Sequence, residues 1–412
     1  MEIKDVQIKF SYDRQMNMLF DSKASIWTFA FRPFFLGTGL HAMFAILVWI
    51  LFHFYSFSPP YTTVSIQFHM YEMVFGFARA AILGFLFTAA QNWTKTVLLK
   101  ENRLIVLFLL WLFGRFGFLS NSCFSRLSFS ADMLCDIVAL YYLLPALLKR
   151  GQEHNRIIAF IFGVFCLIHA TVIFSIIEVI PSYLILHLIH ISIFVILFII
   201  IIIAGRIIPF FTSVAIQMAF PQKFRRLEQT IQYFGILLLL EEFLEFWFPN
   251  RLSLSGSFCF IYAVLNAVRW LYWKPWKSIR IPILFILHSG YFWLVIGLLT
   301  YAFSRFGFGS NSPAYHILTT GAIGVFIYGM LTRVSLGHTG RPIRASKLTI
   351  LGYVFINLTV LARGFLPLFG RNQEAYILSA LFWNLSFLIF FLEYTNILIQ
   401  PRPDEKPAPL PN

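Results

Sequence analysis

Twelve apolar runs set what this chain can become. They fall at roughly residues 34–56, 69–91, 104–120, 130–148, 157–180, 183–205, 228–248, 253–273, 281–303, 315–336, 348–369 and 376–399. A helix of about 20 residues crosses a hydrocarbon layer ~30 Å thick, and a helix satisfies its own backbone polar groups there. The runs therefore predict an all-α fold, a polytopic integral membrane helical bundle of about 12 transmembrane helices. Only 12% of the 412 residues are charged, about half the share usual in soluble domains. Residues 1–31 hold no long apolar stretch, so no cleavable signal peptide is expected.

A net charge of +14 raises the question of nucleic acid. The loops answer it, because every second one is basic: Lys95, Lys100 and Arg103; Lys149, Arg150 and Arg156; Lys223, Arg225 and Arg226; Lys274, Lys277 and Arg280; Arg341, Arg344 and Lys347. Cytoplasmic loops of membrane proteins concentrate Lys and Arg. The alternation accounts for the charge, makes the lipid bilayer the partner instead of nucleic acid, and places both termini in the cytoplasm. The expected organisation is a cytoplasmic segment 1–31, one transmembrane domain 32–400 and a Pro-rich cytoplasmic tail 401–412.

Landmarks recur within that domain. His41 and His288 are 247 residues apart (288 − 41), as are His69 and His316 (316 − 69), and Arg115 and Arg363 differ by 248 (363 − 115). We read three units of four helices, 32–150, 151–277 and 278–400, with the middle one most diverged.

With the N-terminus inside, even-numbered helices start at the outer face. His69, Glu72, His187, His190 and His316 then lie in the first turns of entering helices, and Arg115 and Arg363 near the ends of exiting ones. These seven form an outer layer, and His41, His288 and His338 an inner one. Ionisable groups at membrane depth mark functional sites by default, and neutral imidazole is the commonest protein ligand for haem iron and copper. The metal-ligand candidates are His69, His187, His190, His316, His41, His288 and His338. Glu72 is a candidate for orienting a ligand imidazole, and Arg115 and Arg363 for neutralising an anionic group on a cofactor. Plain interhelical hydrogen bonding and snorkelling arginines are the competing readings. His53 and His154, near membrane ends or in a loop, are read as solvated. The four cysteines show no Cys-x-x-Cys spacing and predict neither a disulfide nor a thiolate site.

Longer motifs carry a resemblance. The first helix opens with Phe31-Arg32-Pro33-Phe34-Phe35; the second reads His69-x-x-Glu72-Met73 with Gly76, then Gly84-Phe85-Leu86 and Asn92-Trp93-Thr94. Trp111 with Gly114-Arg115, Gly205-Arg206-Ile207-Ile208-Pro209, Leu287-His288-x-Gly290-Tyr291-x-Trp293 and Leu336-Gly337-His338-Thr339-Gly340-Arg341 follow, and Pro401-Arg402-Pro403-Asp404 ends the set. Over nearly all its length the chain resembles the NnrS family of membrane proteins. The resemblance implies a haem- and copper-containing bacterial inner-membrane protein tied to nitric oxide metabolism or resistance to nitrosative stress. Nitric oxide or a related small molecule would be its partner, with an unidentified electron donor; no catalysed reaction follows. Many members carry His-x-His-Glu in the second helix, where this chain has Tyr71, which bears on whether one metal site is retained. Two other readings stay open: a proton-coupled transporter or channel using the intramembrane histidines, and a non-catalytic haem-copper sensor.

Overall fold

Apolar runs of this length leave the backbone one economical solution, and the computed structural model has it. It describes residues 21, 23–55, 66–218, 224–245, 247–248 and 252–404. Residues 1–20 of the amino-terminal segment, residues 405–412 of the tail and the loop residues Lys223 and Arg251 lie outside the described residues. Twelve helices carry the apolar runs, and among the described residues there is no strand. We number them α1 (Phe31–Tyr55), α2 (Ile66–Thr94), α3 (Glu101–Gly114), α4 (Ser122–Leu148), α5 (Arg156–Ile176), α6 (Leu184–Ala215), α7 (Arg225–Glu245), α8 (Leu252–Tyr272), α9 (Pro282–Arg305), α10 (Asn311–His338), α11 (Lys347–Phe365) and α12 (Asn372–Ile399).

Ten of the twelve are long and apolar enough to cross a membrane. The exceptions have physical reasons. Helix α3 stops after 14 residues at Gly114, ~21 Å of rise, and α7 interrupts its apolar surface with Glu228, Glu241, Glu242 and Glu245. Helix α6 instead overruns its predicted end at residue 205, passing through Pro209 to Ala215.

Burial sorts the helices into a centre and a rim. In α2, α6 and α10, 83%, 94% and 89% of the apolar window is buried, against 33–50% in α1, α4, α5, α8, α11 and α12. A helix apolar on every side belongs in the interior of a bundle, and α6 with its run Ile199–Ile203 is such a helix. Around the centre the chain closes a ring: α4 packs on α5, α8 on α9 and α12 on α1. Close approach is fixed where side chains vanish. A Cβ on Gly290 of α9 would lie 2.9 Å from the Phe326 backbone nitrogen of α10, so only glycine permits this crossing.

The ends of the even helices meet the starts of the odd ones. Arg32 at the start of α1 donates to the carbonyls of Leu398 (2.8 Å) and Gln400 (2.7 Å) at the end of α12, satisfying acceptors that a helix terminus leaves open. Arg206 in α6 reaches Asn155 Oδ1 (2.6 Å) just before α5, and Gln152 donates to the Trp93 carbonyl of α2 (3.2 Å). This is the face that carries the Lys- and Arg-rich loops, and we call it the basic face; the opposite one is the distal face.

Two of the central helices are not α-helical throughout. Residues Glu72–Ala78 of α2 and Ile317–Val325 of α10 are π-helical, a wider winding that recurs at functional sites. Both stretches begin within one turn of a predicted ligand, His69 and His316 respectively.

Candidate functional site

Near the distal face, the first turns of α2 and α10 bring two histidines from distant parts of the sequence side by side. The ring centroids of His69 and His316 are 6.5 Å apart and their planes 13° from parallel. His316 donates from Nδ1 to the Ser312 carbonyl (2.7 Å), which fixes its tautomer and leaves Nε2 as the lone-pair nitrogen. Nδ1 of His69 is buried with no hydrogen-bond partner among the described residues. Trp49 of α1 stacks on His69 (4.9 Å, 19°), His53 stacks on Trp49 (5.6 Å, 28°), and Tyr376 of α12 closes the row 4.8 Å from His53. Arg363 of α11 lies over the Tyr376 ring, 4.5 Å from its centroid, with Nη2 3.5 Å from Ser312 Oγ.

Around Glu72 the chemistry differs. Glu72 is fully buried and meets His41 Nε2 at 2.9 Å and Arg115 Nη1 at 2.6 Å. Arg115 donates from its other terminal nitrogen to Asp132 and from Nε to the Trp111 carbonyl (3.1 Å). Asp132 is also paired with Arg79, which in turn bonds Asp136 (2.7 Å). His169 Nδ1 lies 2.5 Å from Asp136 Oδ2, and the Tyr71 hydroxyl donates to Asp132 Oδ2 (2.7 Å) and sits 2.9 Å from His169 Nε2. Three carboxylates and two guanidinium groups thus pair with one another out of water, each holding at least one opposite charge, the condition for burying ions at all. Two glycines make the room. A Cβ on Gly76 would fall 2.3 Å from His41 Nε2, and one on Gly114 would fall 2.5 Å from Asp132 Cγ.

The outer layer expected from sequence therefore divides. His69, His316 and Arg363 assemble together, while Glu72 and Arg115 belong to the ion network and bring in His41, which the depth argument had assigned to the inner layer. Tyr71 is part of that network as well: two residues on from His69, it points into another helix interface, so a residue at position 71 faces Asp132 and His169, away from the His69–His316 pair. All three Arg115 side-chain nitrogens have partners, whereas no carboxylate lies within ion-pair distance of Arg363 among the described residues.

The remaining candidates stand apart. His190 of α6 stacks face to face on Tyr315 (4.3 Å, 8°), the neighbour of His316 in sequence, and Tyr315 reaches Tyr301, whose hydroxyl donates to Glu242 Oε1 (2.8 Å). His187 faces the end of α7 at Phe243, so the two histidines three residues apart do not converge on one point. His288 is bonded through Nε2 to Thr212 Oγ1 (3.0 Å), with Nδ1 buried and unpartnered among the described residues. His338 packs against Phe31 at the basic face (5.6 Å). Nearby, Arg402 bonds Asp404 (2.7 Å) and this hydrogen bond holds the Asp404 carboxyl below its ordinary range.

Arg79, Asp132 and Asp136 are not among the sequence candidates, although they too are charges inside apolar runs, the same signal that marks the histidines. Asp132 and Asp136 are one helical turn apart on α4 and share a face. His53, read as solvated, is exposed, and its ring also joins the row that ends at His316. Among the described residues no three His, Cys, Asp or Glu side chains gather as a metal-binding group.

Fold and clusters together define a polytopic helical membrane protein whose ionisable side chains are gathered between its helices. Its sequence matches the family described as NnrS protein over residues 25–402, nearly the whole chain. The chain belongs to the NnrS family. No curated protein matches it significantly.

Proposed function

We propose that this chain is a haem-binding protein of the bacterial inner membrane, with the basic face and both termini in the cytoplasm, acting in nitric oxide metabolism or resistance to nitrosative stress. The observation that carries this reading is the His69–His316 pair. Both rings can hold one ion between helices α2 and α10: their centroids are 6.5 Å apart and their planes nearly parallel, a separation that two imidazoles each bound at ~2.0 Å to a shared ion would span. The donor atoms agree with it. Nδ1 of His69 is buried and unused, and His316 donates its Nδ1–H to a carbonyl, as metal-bound histidines commonly do.

Two histidines without a third protein ligand beside them suit haem better than a bare copper ion, since histidine is a usual protein ligand for haem iron. Copper is the second metal implied by the family resemblance, and it would need a ligand set that the described residues do not form. Haem would bring an iron able to bind nitric oxide. The protein's own part is to hold both imidazoles in register through the first turns of α2 and α10, to shield them with Trp49, and to present Arg363 beside them.

The test is an absorption spectrum of detergent-purified protein, oxidised and dithionite-reduced, with iron and copper analysis. A haem band that shifts on adding nitric oxide, and is lost in His69→Ala/His316→Ala, is the expected result. An unchanged haem spectrum in the double variant would overturn the assignment of these ligands, and absence of haem from protein made with ample haem would overturn the function.

A further inference from the structure

Two parts of the chain place the same residue types at the same spacing, yet only one of them neutralises its cation. His41 and His288, and His69 and His316, are each 247 residues apart. The π-helical stretch Glu72–Ala78, advanced by 247, covers 319–325 and falls inside Ile317–Val325. Arg115 and Arg363 occupy matching places near the ends of α3 and α11.

The carboxylates do not recur. Around Arg115 they are Glu72 and Asp132; position 319 (72 + 247) holds Thr319, and position 380, given by the Arg115–Arg363 offset (132 + 248), holds Ala380. Thr319 lies three residues on from His316, as Glu72 does from His69. Ala380 is one turn along α12 from Tyr376, whose ring lies under Arg363. Arg363 is 7% exposed and has no carboxylate within ion-pair distance among the described residues. Its polar contacts are with neutral groups: Ser312 Oγ at 3.5 Å, and the Tyr376 side chain. A guanidinium withdrawn from water without an opposite charge is costly, and inside a membrane protein such a group marks where a charged ligand arrives.

We infer that Arg363, flanked by Tyr376 and Ser312, binds a small oxyanion or carboxylate in the place that Glu72 and Asp132 fill around Arg115. Guanidinium recognises such groups bidentately through two parallel N–H donors. Ser312 ties the subsite to the histidine pair, since its carbonyl accepts from His316 while its hydroxyl meets Arg363. It is also exposed, which gives the subsite an edge toward the distal face. The anionic oxygens have two possible bearers, a free nitrite-like ion or a carboxylate carried by the cofactor. The inference deepens the haem reading but its binding step does not require haem.

The experiment uses full-length haem-free protein in detergent and measures nitrite binding by equilibrium dialysis, with formate as competitor. Wild type is expected to bind one nitrite per chain, displaced by formate. Arg363→Gln should weaken binding at least tenfold, and Thr319→Glu should do the same by supplying the carboxylate that Glu72 provides around Arg115. Arg363→Lys, which keeps the charge and reports that the fold survives, should lose less than Arg363→Gln. Loading wild type with haem then separates the sources: displacement of nitrite identifies a cofactor carboxylate in the subsite, and retention identifies a site for the free ion. Nitrite binding that is absent from wild type, or equal in wild type and a monodisperse Arg363→Gln, overturns the inference. Failure of haem to bind would overturn the haem reading while leaving the nitrite result in force.

Discussion

Replacing Asp132 with Asn changes one atom in the most charged part of the interior. Asp132 is fully buried and accepts from Arg79, Arg115 and the Tyr71 hydroxyl. Asparagine keeps one acceptor and turns an N–H₂ donor toward guanidinium groups that offer only donors. Three charge-assisted contacts at ~1.5–3 kcal/mol each would give an upper bound well above 4 kcal/mol, but both arginines retain a partner, Asp136 at 2.7 Å for Arg79 and Glu72 at 2.6 Å for Arg115. The expected loss is therefore ~3–5 kcal/mol, the usual cost of breaking a buried ion pair from one side. Reversible unfolding in mixed detergent micelles, followed by far-ultraviolet circular dichroism, measures it. A double-mutant cycle with Arg115→Gln should show a coupling of at least ~1 kcal/mol between the two positions. If Asp132→Asn stays within ~1 kcal/mol of wild type, or the two changes add, the charges are not mutually dependent and the network is misread.

Gly76→Ala should drive a methyl group between His41 and Glu72, where a Cβ has 2.3 and 2.6 Å of room; the expected destabilisation is ~1–3 kcal/mol, read in the same unfolding assay, and a neutral result would mean the pair can part freely. Tyr71→His should leave any haem spectrum of the His69–His316 pair unchanged, because position 71 faces Asp132 and His169; a shifted band would place position 71 at the cofactor instead. Arg32→Gln removes two bonds to the last carbonyls of α12 and should loosen that end by ~1.5–3 kcal/mol, seen as faster proteolysis near Gln400, with equal cleavage rates counting against the contact.

Elements were legible in the sequence where a single pattern decided them. The apolar runs located twelve helices because nothing but a helix can bury its backbone in lipid, and 69–91 and 315–336 both found the central helices that carry the histidine pair. Their extents were less legible: α3 ends at Gly114 and α6 continues past Pro209, since composition sees hydrophobicity and not where a turn is fixed by tertiary contacts. The pairing of His69 with His316 was implied by their common depth. The separation of Glu72 from His69 was not. Three residues apart, they share a face on an ideal α-helix, but Glu72 opens the π-helical stretch and lies against α1, α3 and α4 instead, where His41, Arg115 and Asp132 meet. Periodicity of 3.6 cannot announce its own interruption. Arg79, Asp132 and Asp136 were visible as charges in apolar runs, yet only three-dimensional contact shows that Arg79 pairs with both carboxylates.

The two histidine-bearing regions solve the same electrostatic problem in opposite ways, and that contrast explains why the candidate site lies at one and not the other. A charge between helices needs an opposite charge, from the chain or from a ligand. Around Arg115 the chain provides it: Glu72 and Asp132 occupy the guanidinium, His41 is drawn to Glu72, and glycines at 76 and 114 leave room for the side chains to approach this closely. Such a region is stiff and closed, suited to fixing α2 against α1, α3 and α4. Around Arg363 the corresponding positions hold Thr319 and Ala380, the guanidinium's polar contacts among the described residues are with neutral groups, and the imidazoles of His69 and His316 stand nearly parallel with a donor atom unused. The closed network on one side of α2 holds the helix that presents His69 on the other. Rigidity in the first region is thus the physical support for openness in the second, because a ligand pair split between α2 and α10 keeps its spacing only if neither helix can roll.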